Sequence, residues 1–302
     1  NQVGHTGLFY TYQRNNFRLT ALATPMAIPE RPAPGGSPWA DPNPTSVNAL
    51  GREVPLRYDL SNIPYGQIIF RPGAALSLRY GEEEGPWIRG NYGIMGSNTV
   101  NVGVLAKLDP NKDIIEASIL ARGLHDERVS FEAGYEGGYF STWASANHVR
   151  PVFMPTTPAG YIVSAVGTGT IVGVGGELRL KNGIRFQSGY AKTWEVQPKA
   201  AKGEMTFDMG GRYAYSSLFR LNAQYQGESR MTYGTGLLFD TDKGSQLFSL
   251  DIAVRLGKRT VASMGPWLVG VGADFFASET GKGAIGKFRG NDLLRARVAY
   301  LF

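Results

Sequence analysis

The chain has 302 residues, a formal charge of +6 and no cysteine, so disulfide frameworks and thiolate chemistry are excluded. No stretch approaches the roughly 20 consecutive apolar residues of a membrane-spanning helix, and the mean hydropathy is −0.19, which excludes a helical membrane protein. The basic residues are scattered singly along the chain rather than gathered in a patch, which argues against a nucleic-acid partner.

Residues 1–73 form the first region. Asn1-Gln2-Val3-Gly4 lacks a basic start and an apolar run, so an exported form is expected with its signal peptide already removed. Phe17–Thr24 and Arg52–Tyr58 read as short strands. Between them, Ala27–Pro38 and Asp41–Pro44 are rich in proline, which removes ladder donors and bars a central strand. A long proline-rich stretch beside a strand-dense chain is expected to act as a plug, a cap or a long loop.

Residues 74–302 are regular. Strands are expected near 74–82, 86–95, 99–108, 113–122, 127–136, 138–148, 160–168, 170–181, 183–194, 203–215, 217–227, 231–240, 245–256, 263–276 and 291–302. Most have the roughly ten-residue length of a tilted strand that crosses a bilayer. Asp109–Lys112, Lys181–Gly183 and Thr241–Gly244 supply turn residues between them. Alternation recurs strand after strand. Val129, Phe131, Ala133 and Tyr135 oppose Arg128, Ser130, Glu132 and Glu136, while Phe248, Leu250, Ile252 and Val254 oppose Ser249, Asp251 and Arg255. In a strand these sets occupy opposite faces. A soluble sheet of this size would need a second apolar layer to cover one of them.

The chain closes on Asn291–Phe302. Leu294, Ala296, Val298, Tyr300 and Phe302 share one face; Arg295, Arg297 and Ala299 share the other. This aromatic-terminated strand resembles the closing strand of Gram-negative outer-membrane β-barrels. The resemblance implies an all-β, transmembrane antiparallel β-barrel of about 16 strands, with 14 or 18 as alternatives. It also implies that Val298, Tyr300 and Phe302 form a signal read by the barrel-assembly machinery. Outer-membrane lipid and lipopolysaccharide would be partners, together with subunits of an envelope complex; no cofactor or metal is expected. An even strand count would return both termini to the periplasmic side. Counting back from Phe302 then puts the 277–290, 149–159, 241–244 and 182–183 connections outside.

On the inward face, parity places Arg79, Arg89, Lys107, Arg122, Arg128, Arg179, Lys181, Arg185, Arg212, Arg220, Arg255, Arg295 and Arg297. Glu116, Glu132, Glu136, Glu177, Glu204, Asp208, Asp251 and Asp274 share it, leaving an excess of five positive charges. A sixteen-stranded barrel is wide enough for an aqueous channel, and basic rings attract anions. Cross-strand pairing would instead turn these charges into wall stabilisers. Three histidines are present: His5, His125 and His148. Outer-membrane lipases place a Ser–His pair at the outer rim, but His148 has lipid-face parity while Ser141 and Ser145 have the opposite parity, so that pair fails on geometry. His125-Asp126-Glu127 reads as a polar turn rather than a metal site. Gly167–Gly176 is glycine-rich without a following helix, so it is no phosphate loop, and Asp240-Thr-Asp242 lacks the rest of a calcium loop. Trp194, Trp267, Tyr190 and Tyr233 read as interfacial girdles, whereas Trp87 and Trp143 have lumen parity. The expected function is a passive outer-membrane channel, a diffusion porin or an export conduit with weak anion preference. An outer-membrane scaffold with a plugged lumen is the alternative, and a rim lipid-modifying enzyme the third reading.

Overall fold

The computed structural model describes residues 7–27, 46–49, 52–60, 65–109, 111–112, 114–152, 160–164, 166–196, 206–207, 215–226, 231–256, 267–279, 283–286 and 289–300. In chain order the strands are β1 (Leu8–Arg14), β2 (Phe17–Thr24), β3 (Ser46–Ala49), β4 (Arg52–Asp59), β5 (Gly73–Gly81), β6 (Gly85–Asp109), β7 (Ile114–Glu136), β8 (Phe140–Val152), β9 (Ile162–Ser164), β10 (Thr168–Arg179), β11 (Ile184–Val196), β12 (Thr206–Phe207), β13 (Ser217–Gln226), β14 (Met231–Asp240), β15 (Ser245–Leu256), β16 (Trp267–Ser278) and β17 (Leu293–Tyr300). Two short helices, α1 (Tyr65–Ile69) and α2 (Gly283–Gly286), complete the set.

The protein is all-β. β3 joins through β4 alone, and the other sixteen strands form one largely antiparallel sheet. Thirteen of them make a meander in which each strand pairs antiparallel with its neighbours: β1, β2, β5, β6, β7, β8, β10, β11, β13, β14, β15, β16 and β17. The remaining three, β4, β9 and β12, belong to an extension beyond this wall. The sequence divides 86–108 and 113–136 into two strands each, but both runs are continuous. A bulge between Gly96 and Val100 absorbs Ser97-Asn98-Thr99 within β6, and β7 runs unbroken through His125-Asp126. The lower halves of β6 and β7 pair with β5 and β8. Their upper halves project past the wall and take β9 and β4 as new edge partners, with β12 added on β9.

The two ends of the wall differ. By strand direction the links 15–16, 82–84, 137–139 and 180–183, with those joining β13 to β14 and β15 to β16, fall at one end. The connections 25–72, 153–167, 197–216, 241–244 and 279–292 lie at the other, with the β6–β7 extension. Placing 182–183 beside 241–244 is therefore corrected: β11 pairs directly with β13, so β12 is no wall strand and the 180–183 turn falls at the opposite end; β8 likewise pairs directly with β10, which keeps 153–167 on the side of 241–244. β1 and β17 run in the same direction, so the chain enters β1 at the long-connection end and leaves β17 at the short-turn end. The expected return of both ends to one side does not hold for the described strands, because the meander has an odd number of members.

Among the described residues, buried apolar side chains are few. Ala27, Val54, Ile68, Met95, Ala117, Ala121, Leu124 and Val163 lie on the extension or on elements beside its root, with Val149 at the adjoining end of β8; Ala253 and Ile285 are the others. Along the wall, one face carries large apolar side chains in the open: Phe131 is 57% exposed, Val174 50%, Leu250 43% and Ile252 41%. Near the short-turn end this face carries an aromatic band of Tyr80, Tyr135, Phe140, Phe186, Tyr233 and Trp267. Within it, Tyr135 stacks on Phe140 with ring centres 5.1 Å apart.

Candidate functional site: the polar face of the wall

The opposite face is polar and concave. Flat, β11 and β17 would stand about 24 Å apart, five ladder steps of about 4.8 Å. Yet Arg185 of β11 and Arg297 of β17 line one cavity of ≈ 490 Å³, with Arg220, Asn222, Gln224 and Asp251. The sheet must curl toward its polar side for these groups to meet.

Cross-strand register decides which charges stay free. Arg79 stands opposite Arg89, and Arg89 opposite Glu132. Like charges directly opposed are destabilising. Here Arg89 pairs with Glu132, and both guanidiniums lie over the Trp87 ring, Arg79 5.2 Å and Arg89 5.7 Å from its centre. Arg179 bridges Glu136 at 2.9 Å and Glu177 at 2.5 Å. Arg295 forks onto Asp274, with Nε 2.8 Å from Oδ2 and Nη2 donating to Oδ1 at 3.0 Å. Arg297 reaches Asp251 at 3.2 Å, and Arg128 reaches the buried Asp126 at 3.6 Å. Glu132, Glu136, Glu177, Asp251 and Asp274 thus all have arginine partners. Among the described residues, Arg79, Arg185 and Arg220 face the concave side without a carboxylate partner. Arg18, opposite Arg79 in register, joins them; the sequence predicts Phe17–Thr24 as a strand without assigning its faces. Turning the Asn222 amide lets its oxygen accept from Arg220 Nε at 2.9 Å and Nη2 at 2.8 Å.

Other residues on the inward list fall elsewhere. Lys107 and Glu116 oppose each other on the extension, with Arg57 of β4 on the far side of Glu116. Arg122, also on the extension, is buried and donates through Nε to Asn101 Oδ1 at 3.1 Å. Glu204, Asp208, Arg212 and Phe302 lie outside the described residues, as do the side chains of Arg255 and Tyr300. Val298 is on the apolar face and 66% exposed. His148 Nδ1 meets Thr170 Oγ1 at 2.9 Å, on the face opposite Ser141 and Ser145. His125 Nε2 lies 3.0 Å from Pro72 O. No group of three potential metal ligands occurs among the described residues.

A second polar knot lies at the root of the extension. Arg71, 3% exposed, donates from Nε to Ile68 O at 2.6 Å, from Nη1 to Leu124 O, and from Nη2 to Ser97 O at 3.0 Å. Burial pushes this guanidinium's pKa down, and Asp126 pulls it part of the way back. One side chain thereby ties the α1 segment to both long strands. Its pattern was not legible in sequence, because an isolated arginine before a proline carries no periodic signal. At the β14–β15 turn, the Ser216 and Ser217 hydroxyls and Lys192 hold the Asp242 carboxyl well below the usual carboxylate range. Lys192 Nζ stands 2.9 Å from Asp242 Oδ2.

No protein-family profile matches the chain, and no curated protein matches it. Its function therefore rests on geometry alone.

Proposed function

We propose that this chain is an outer-membrane β-barrel that acts as a passive channel with a weak preference for anions. The observation that carries the reading is the two-faced wall: large apolar side chains stand uncovered on one face while charges line the concave other. In water such a face is far larger than the few hundred Å² that soluble monomers expose. In a bilayer it faces hydrocarbon at no cost, and the aromatic band falls at an interfacial level. Charges on the concave face are tolerated where they are paired or wet. Outer-membrane lipid and lipopolysaccharide are the surroundings on this reading. The barrel-assembly machinery would recognise the strand ending in Val298, Tyr300 and Phe302.

Ion pairing accounts for Arg89, Arg179, Arg295 and Arg297 and leaves Arg18, Arg79, Arg185 and Arg220 as the uncompensated positive charge of the concave face. Fixed charge raises the local anion concentration within a Debye length, about 10 Å at 0.1 M salt. Purified protein in a planar bilayer should give discrete conductance steps. Reversal potentials under a potassium chloride gradient should show anion preference that fades as salt rises. A cation preference would overturn the charge argument. Absence of conductance would favour the second reading, a scaffold that binds envelope or surface partners. That reading draws support from the packed extension at one end of the wall.

A further inference from the structure

We propose that the polar face carries a binding subsite for small aromatic carboxylates, built from Trp143, a glycine floor and Arg220. The proposal rests on the channel reading only for how the ligand arrives. In register, Trp143 of β8 stands beside Gly175 of β10, Gly175 beside Gly189 of β11, and Gly189 beside Arg220 of β13. Three ladder steps of about 4.8 Å put the two outer residues roughly 14 Å apart along one row. The two inner positions have no side chain. The Trp143 indole lies down over the first of them: a Cβ on Gly175 would come within 2.7 Å of its ring. The second stays open, since a Cβ on Gly189 meets nothing closer than 3.4 Å. The result is a trough of ≈ 250 Å³ with an aromatic wall on one side and a guanidinium on the other.

The chemistry of the walls selects the ligand. Trp143 is 42% exposed and offers a π surface on which a flat ring gains both apolar burial and offset stacking. Arg220 has no carboxylate partner; the Asn222 amide oxygen meets its Nε and Nη2, and the remaining Nη1–Nη2 edge of the planar fork is matched to a carboxylate. Among the described residues the one acid lining the trough, Glu177, is already engaged by Arg179 at 2.5 Å and by the Gln187 amide at 2.7 Å, so it does not compete for Arg220. Beyond Arg220 the larger cavity continues to Arg185, a second cation to which the carboxylate can pass.

Calorimetric titration of the folded protein in detergent at low salt tests this, with benzoate as the probe. Benzoate should bind more tightly than acetate, which lacks the ring, and than benzyl alcohol, which lacks the charge. Arg220→Gln and Trp143→Ala should each weaken benzoate at least tenfold, and Arg220→Lys should fall between Arg220→Gln and the wild type. Gly189→Leu removes no polar group and has room at Cβ, so it should fold normally and abolish binding by filling the trough. Acetate binding as tightly as benzoate would overturn the site, as would benzoate binding that survives Gly189→Leu. Conductance recorded on the same preparation separates the two readings: conductance without benzoate binding overturns the subsite alone, and benzoate binding without conductance overturns the channel alone.

Discussion

Replacing Arg71 by alanine should open one part of the molecule and leave the rest standing. The side chain makes three charge-assisted bonds to the carbonyls of Ile68, Leu124 and Ser97 in a buried setting. Each such bond contributes about 1.5–3 kcal/mol. Their simple total overstates the loss, because water enters the vacated space and Asp126 keeps Arg128 at 3.6 Å. A buried acceptor left unpaired costs about 1–3 kcal/mol; with water reaching part of the three carbonyls, a loss of about 3–5 kcal/mol in all is expected. At about 1.4 kcal/mol per tenfold, the local opening constant should rise by roughly 10² to 4 × 10³. The amides to watch are Ala27, which donates to Ile69 O at 2.9 Å, and Phe70, which donates to Gly66 O at 2.8 Å. Native-state hydrogen exchange should show both losing protection by that factor while the β14–β15 hairpin keeps its own. Arg71→Lys, with one compact charge in place of a fork, should lose part of it. Unchanged protection at Ala27 and Phe70 in Arg71→Ala would refute the reasoning, and so would an equal loss across the wall.

Three further outcomes are expected. Leu250→Arg, on the uncovered apolar face, should destabilise the protein in lipid vesicles by about 2–4 kcal/mol if it sits near the bilayer midplane. Gln224→Ala, on the concave face, should cost about 0.5 kcal/mol or less, and urea unfolding that ranks them the other way would invert the faces. Deleting Phe302 should lower the amount of heat-modifiable protein in the outer membrane with synthesis unchanged; normal levels would remove the assembly-signal role. A carboxyl held low in the folded state contributes stability above its unfolded pKa, about 4, and loses it as pH falls through that value and below. Asp242→Asn should therefore flatten the acid limb of the stability profile, and an unaltered limb would show that the turn contacts contribute nothing.

Period-two alternation located the wall strands from β5 onward and predicted Phe17–Thr24 as a strand, because one face had to be apolar and the other polar. Alternation is blind to where a strand stops when a polar cluster interrupts it. The sequence divides the strand at 96–98, yet a bulge carries β6 through. β1 escaped for the converse reason: Leu8, Phe9, Tyr10 and Tyr12 put large side chains on both faces, and alternation disappears. Parity assigned Arg89, Arg179 and Arg295 to one face. Which carboxylate each would meet depends on register between strands far apart in sequence, so the free cations Arg185 and Arg220 emerge only once the ladders are aligned. The trough at Gly189 was illegible for the same reason, since its walls come from β8 and β13.

The pairing pattern also sets an order of events during folding. Most rungs of the wall join strands that follow one another closely, so each new strand closes only a short loop onto the edge already laid down. The parallel pair of β4 with β7 is different: Leu56 meets Ile115, across β5 and the whole of β6. That contact has no template until the β5–β6–β7 rungs exist, and it must repay a larger loop entropy when it forms. The α1 segment, which Arg71 ties to the same strands, waits on the same template. The extension and its N-terminal cover should thus be the last part of the fold to lock and the first to release.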